Sequence, residues 1–286
     1  MLHLKRKPVE LEPAPAGSND AEPPSAKQSR LRREFEHTFS ALSVHDFRTL
    51  WFGMLFTMAA FQISIVARSW LAYDLTGSAV WLGIVAIARG LPQLALAPIG
   101  GVAADRFDKR TLLIVTQIAM AILNLIIAVL VEFHWIRIWH LVVLGVIQGS
   151  IFPFMMPTRT AYISDLVVDD RLPNALALDS TGRNLNRVVA PTLAGFLIAI
   201  SPMISFYAVA IFFVCSALTL LILPKPLRKP FRSHGAFKDM ASGFKYIAER
   251  PTLVMLIGMA LLFTLLGMPY SQLLPVFQKS VFHVGA

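Results

Sequence analysis

The chain of 286 residues is 56% hydrophobic and 15% charged, with a mean hydropathy of +0.62, a balance that excludes an ordinary water-soluble domain and fits a polytopic membrane protein. A formal charge of +9 and a pI near 10.0 would suit a nucleic-acid binder, but the cations gather between apolar stretches as topology signals do, so no nucleic-acid partner is implied. The single cysteine, Cys215, has no partner for a disulfide or a Cys-based zinc site, the seven histidines lack ligand spacing, and no nucleophile elbow or phosphate-cradling glycine loop occurs, so nothing nominates an enzyme, a cofactor or a metal.

Residues 1–30 mix Pro, Ala, Glu, Lys and Ser without apolar periodicity and are expected to form a disordered tail. From Leu31, the apolar residues Leu31, Phe35, Phe39 and Leu42 recur at helical spacing among charges, which predicts a short amphipathic helix on the inner leaflet. A first span is predicted from about Leu50 to Leu71, with Asp74 to Ser78 as a tight exit turn around Gly77. The second and third spans, Ala79–Ala103 and Leu112–Val131, each supply about the 20 apolar residues a membrane-crossing helix needs. The fourth is predicted from Ile138 to Met156, where Pro153 and Pro157 should bend or end it.

The fifth span is unusual because its purely apolar part, Val188–Ile200, is too short to cross alone. Asp170 with Pro173 predicts the helix start, and Asp179, Arg183 and Arg187 then follow at steps of four, with Asn184 and Asn186 close by. Such a face should turn toward a water-filled cavity or the bundle interior. The sixth span, Met203–Leu223, is uniformly apolar and reads as a support, closing a bundle over residues 31–223. Residues 224–250 form a basic loop in which Phe237, Met240, Phe244 and Ile247 predict a second surface helix. Residues 251–286 hold a seventh span, Leu253–Val276, as the start of a second bundle, and the loosely similar segments before the first and seventh spans hint at two repeated halves.

The Lys and Arg residues crowd into the tail and the loops after the second, fourth and sixth spans, leaving only Arg137 and Lys279 on the other side. That bias predicts a cytoplasmic N-terminus in a multi-pass inner (plasma) membrane protein. Trp51, Trp70, Trp81, Trp135 and Trp139 fall at predicted span ends, as interfacial anchors rather than a ligand cage.

Between the second and third spans stands Gly101-Val-Ala-Ala-Asp105-Arg106-Phe-Asp108-Lys109-Arg110. Gly100 and Gly101 remove side chains where helices should approach closely, and a carboxylate at a helix C-terminus, Asp105, is best explained by a nearby cation or another helix's N-terminus. The plain alternative is a positive-inside loop with an incidental aspartate. The pattern G-x-x-x-D-R-x-x-[KR]-[KR] resembles the signature of the major facilitator superfamily of secondary transporters, with Asp108 where the family often has glycine. Pro157-Thr-Arg159-Thr-Ala161, Asp165-Leu-Val, Asn174-Ala, Leu178-Asp-Ser180, Asn184-Leu-Asn-Arg187, Ala190-Pro191 and Ala194-Gly195 are similar to the branch of bacterial enterobactin exporters and transmembrane secretion effectors. In many proton-driven relatives the fourth span carries R-x-x-Q-G; here Gln148-Gly149 is present and Gly145 holds the arginine position.

The resemblance implies an all-α polytopic bundle that moves a small amphipathic solute, through alternating access and coupling to an ion gradient. Gly101, Asp105, Arg106, Lys109 and Arg110 would latch the cytoplasmic side, with Arg89, Asn184, Arg187, Gln62, Gln117 and Asn124 as candidates for the path. Arg89 falls near the midplane, either as a counter-charge to an anionic substrate or internal carboxylate or as a hydrogen-bonding strut. Arg68, near the outer end of its span, is expected to snorkel. Asn184 and Arg187 would line a cavity unless Asp179 and Arg183 merely hold the helix, and Gln62, Gln117 and Asn124 could equally join helices. Relatives built from two six-span halves have about twelve spans, so seven also fit a truncated, transport-inactive membrane protein that acts by interaction.

Overall fold

Long apolar runs punctuated by short polar turns give helices and little else: the structure, a computed structural model, describes residues 40–223, 246 and 249–267, and among these no β-strand occurs. A short 3-10 turn, Ser40–Ser43, leads into α1, His45–Thr76, which stops where Gly77 adopts the left-handed conformation (φ 63°) and returns its N–H to the Tyr73 carbonyl. Then follow α2, Ala79–Arg106; α3, Lys109–Glu132; α4, Ile138–Leu166; α5, Leu172–Ile200; α6, Pro202–Ile222; and α7, Pro251–Gly267. Of these, α1, α2, α3, α4 and α6 are long and apolar enough to cross a membrane. In α5 the polar stretch from Asp179 to Arg187 interrupts the apolar run, as its sequence implies.

One boundary differs from expectation. Pro153 and Pro157 lie inside α4, which runs on to Leu166 instead of ending near Met156. Proline breaks a solvated helix, but within a membrane bundle neighbouring groups can re-satisfy what it frees. The two prolines leave the Gly149 and Pro153 carbonyls without their helical donors. The hydroxyls of Thr158 and Thr160 brace the same turns by bonding the neighbouring carbonyls of Phe154 and Met156. The expected surface helix of the 224–250 loop lies outside the described residues, as do most of the one before α1 and the end of the seventh span.

Within the bundle α1 packs against α5 and α6, α3 against α4 and α6, and α2 along α4. The last seam is the tightest. A Cβ on Gly100 would stand 2.1 Å from the Pro153 carbonyl oxygen and one on Gly149 2.1 Å from that of Arg89, so only glycine fits where these backbones meet. At Gly101 the same construction meets nothing within 4 Å, so the close approach belongs to its neighbour.

Two apolar clusters fill the interior, one running from Ala59 through Ala128 to Phe213, the other joining Phe47, Leu50, Leu113, Tyr162, Leu178 and Leu220. Between them five of the helices contribute polar residues at one level: Thr57 from α1, Gln117 from α3, Arg159 from α4, Asp179 from α5 and Ser216 from α6, all buried. The outward faces of α2 and α5 remain apolar and exposed, with Val80, Ile87, Leu91 and Leu94 on one and Val188 and Phe196 on the other.

Candidate functional site

The turn between α2 and α3 is organised by α3's need for an N-cap. The Asp108 side chain accepts from the Thr111 backbone N–H at 2.7 Å, satisfying one of the orphan donors of the first helical turn. The departure from the family's usual glycine therefore has a local use. The two following cations reach into the bundle. Lys109 donates to Asp165 at 2.6 Å and to the Ala161 carbonyl at 3.2 Å, tying α3 to the end of α4. Arg110 donates through Nε to the Leu220 carbonyl at 2.8 Å and through Nη2 to that of Leu221 at 2.5 Å, closing the carbonyl end of α6 where a cation also suits the helix dipole. Asp105 and Arg106 are exposed, and Asp105 makes no hydrogen bond or ion pair among the described residues.

The polar level inside the bundle holds two networks. Gln117 donates through Nε2 to Thr57 and Ser216, both at 2.8 Å, and those two hydroxyls lie 2.7 Å apart, so α1, α3 and α6 meet at one triad. Farther along, Ser64 donates to Asn124 Oδ1 at 3.2 Å while Asn124 donates to the Met120 carbonyl at 2.7 Å. Gln117 and Asn124 are thus placed between helices of one bundle, whereas Gln62 is half-buried and unpartnered among the described residues.

The second network is ionic. Asp179, 2% exposed, receives Arg159 Nε at 3.3 Å on one oxygen and Arg183 on the other, while Arg159 also donates to the Leu50 carbonyl at 3.1 Å. Asp179 and Arg183 form the internal pair that their spacing of four allows. Arg187 and Asn184 fall on the exposed side of α5, and Asn186 turns inward to bond the Gly182 carbonyl. Arg159 escapes a reading that ends the fourth span at Met156, since it then belongs to a loop. The signal that finds it is the unmatched carboxylate of Asp179, which one arginine at i+4 leaves half satisfied. Trp51 likewise departs from an anchor's role: its indole N–H bonds the Leu178 carbonyl at 3.0 Å and joins α1 to α5.

A third group gathers where α1 meets α2 and α4. Arg89 is half-buried with its guanidinium carbon 4.3 Å above the centroid of the Phe61 ring, which itself lies 4.4 Å from that of Phe152. Such cation–π contact is worth about 2 kcal/mol when desolvated. Arg68 does not snorkel: it is 3% exposed, and its Nη1 lies 3.7 Å from where a Cβ on Gly145 would stand. A long side chain snorkels only if its path to the surface is open, and here α2 and α4 close over it.

Comparison with known proteins agrees with the fold. The family model described as "Transmembrane secretion effector" matches residues 36–286. An MFS-type transporter of Bacillus subtilis, YfiS, is 28% identical over 189 residues, covering 64% of this chain and 44% of that protein. The staphyloferrin A transporter of Staphylococcus aureus is 27% identical over 77% of this chain and 56% of its own length, and macrolide efflux protein A of Streptococcus pyogenes 21% identical over 83% and 60%. The chain thus spans about half the length of the curated relatives it matches. It is an all-α, multi-pass membrane protein, and by the match over nearly its whole length it belongs to the transmembrane secretion effector family of major facilitator transporters.

Proposed function

We propose that the chain is the substrate-handling bundle of a secondary transporter that exports a small amphipathic solute across a bacterial plasma membrane by alternating access. The observation that carries this reading is the family match over residues 36–286, whose relatives include macrolide, multidrug and staphyloferrin A carriers. The N-terminus would face the cytoplasm, in keeping with the basic flanks of the even-numbered loops. Arg89, Asn184, Arg187 and Gln62 would line the solute path, while Gln117 and Asn124 would hold helices together. Lys109 and Arg110 would fix the turn to its own bundle through α4 and α6, while the exposed Asp105, with Arg106 beside it, would latch against a facing bundle. Ion-gradient coupling follows from the family and has no residue assigned to it.

The test is flux through liposomes carrying the purified protein, with the cationic dye ethidium and the anion 2-naphthoate as probes. Gradient-dependent movement of either, lost in Asp105→Asn with the protein still inserted, is the expected result. No movement of either probe would refute autonomous transport and leave a membrane-embedded interaction protein as the better reading.

A further inference from the structure

Arg68 stands apart from every other buried cation of the bundle. Its Nε, Nη1 and Nη2 are all buried and none has a hydrogen-bond partner among the described residues. A guanidinium keeps its charge in proteins and offers five donors, so burying it unsatisfied carries a heavy desolvation cost. Arg159, on the same bundle, shows how that cost is normally met, with a carboxylate and a backbone carbonyl.

The surroundings of Arg68 supply more donors rather than acceptors. Its tip points to Gly145 of α4, where an added Cβ would also lie 3.8 Å from the Val85 carbonyl and 3.9 Å from the Ala88 side chain of α2. Arg89, the residue after Ala88, adds a second guanidinium, steadied on Phe61. Gln148, one turn from Gly145 and 1% exposed, adds a third donor, a buried Nε2 without a partner among the described residues. The carboxylates of α1, α2 and α4 all sit near helix ends, at Asp46, Asp74, Asp105 and Asp165. The missing component is therefore an acceptor that carries negative charge.

We propose that Arg68, Arg89 and Gln148 form a subsite for the carboxylate of an anionic solute. Gly145 is part of its design, because a large side chain there would occupy the space that the α1 arginine reaches into. A solute can approach Arg68 only when α1 parts from α2 and α4, so the arrangement seen here is the closed member of a pair. This assignment rests on the transporter reading and narrows its substrate class.

The decisive measurement is binding of 2-naphthoate and of its neutral counterpart 2-naphthamide to the full chain in lipid nanodiscs. The wild type should prefer the carboxylate on the order of tenfold or more, as a charge-assisted, bidentate contact provides. Arg68→Gln should abolish the preference, Arg68→Lys should retain part of it, and Arg89→Gln and Gln148→Met should each reduce it. Without ligand, Arg68→Gln should unfold at a higher temperature than wild type, because an unsatisfied charge has been removed. Equal affinity for the two naphthalenes, a preference that survives Arg68→Gln, or a lower unfolding temperature in that variant would overturn the subsite. Naphthoate binding that depends on Arg68 but is accompanied by no flux would keep the subsite and remove the transport reading. Ethidium flux in a protein indifferent to the carboxylate would do the reverse.

Discussion

Arg159 and Arg68 are both buried arginines of the same bundle, 6% and 3% exposed, yet they are opposite in kind. Arg159 meets Asp179 and the Leu50 carbonyl, and its pairing joins α1, α4 and α5; Arg68 meets no acceptor among the described residues. Burial therefore does not distinguish a structural charge from a functional one, whereas the acceptor count does. A cation whose acceptors are built in belongs to the fold, and one whose acceptors are missing is held ready for something that arrives.

The sharpest way to break this contrast is to remove the acceptor that Arg159 relies on. Asp179→Ala leaves Arg159 and Arg183 without their shared carboxylate inside the bundle, and a loss of about 3–5 kcal/mol is expected. An unfolding titration in mixed micelles reads it directly. A loss no larger than that of a surface substitution would mean that water already reaches Asp179, and the contrast with Arg68 would collapse. Next in size is the seam that positions Arg89: Gly149→Val drives a side chain onto the Arg89 backbone and should cost about 1–3 kcal/mol, more if the helices separate. Gly101→Val, one residue beyond the close contact at Gly100, should fall within about 0.5 kcal/mol of wild type. Should the two valines prove equally harmful, the α2 to α4 contact would not be the tight one.

The two buried glutamines repeat the comparison at lower stakes. Gln117 donates to two hydroxyls, so Gln117→Leu should cost about 0.6–1 kcal/mol, the range of helix-to-helix hydrogen bonds in membranes. Gln148→Leu removes an amide nitrogen that has no hydrogen-bond partner among the described residues and should leave the same titration unchanged or shifted toward greater stability. The contrast lies in the amide nitrogens, since Gln117 Oε1 is also buried without a partner among the described residues; reversal of that order would undo the subsite argument.

Most of the helices are legible in the sequence because length and hydropathy alone decide them, as for α2 and α3, whose bounds at Ala79 and Glu132 lie where the apolar runs begin and end. The end of α4 is not, since proline's effect depends on whether water or neighbouring helices surround it. That single misjudged boundary hides Arg159 and with it the ion pair that defines α5's inner face. Asp179 and Arg183 are readable from a spacing of four on one helix, whereas Arg68 beside Gly145 is a contact between residues far apart in the chain that no local pattern encodes. The same holds for Gln117 and Asn124, whose side chains are polar in sequence either way and whose hydrogen-bond partners lie on other helices or in the fold around them.

The smallest expected effect, and the one closest to the family's signature, separates two carboxylates three residues apart. Asp108 is committed, its side chain capping α3 at the Thr111 N–H, whereas Asp105 is exposed at the end of α2 without an ion pair or hydrogen bond among the described residues. Glycine is nearly as good an N-cap as aspartate, so Asp108→Gly should cost only a few tenths of a kcal/mol and leave flux intact, which is why related proteins can carry glycine there. Asp105→Asn should be equally silent in the unfolding titration while removing flux, because a latch that acts against a facing bundle contributes nothing to the fold of its own. If Asp105→Asn instead destabilises this bundle more than Asp108→Gly does, its carboxylate serves α2 and the turn, and the latch must be carried by Arg106 alone.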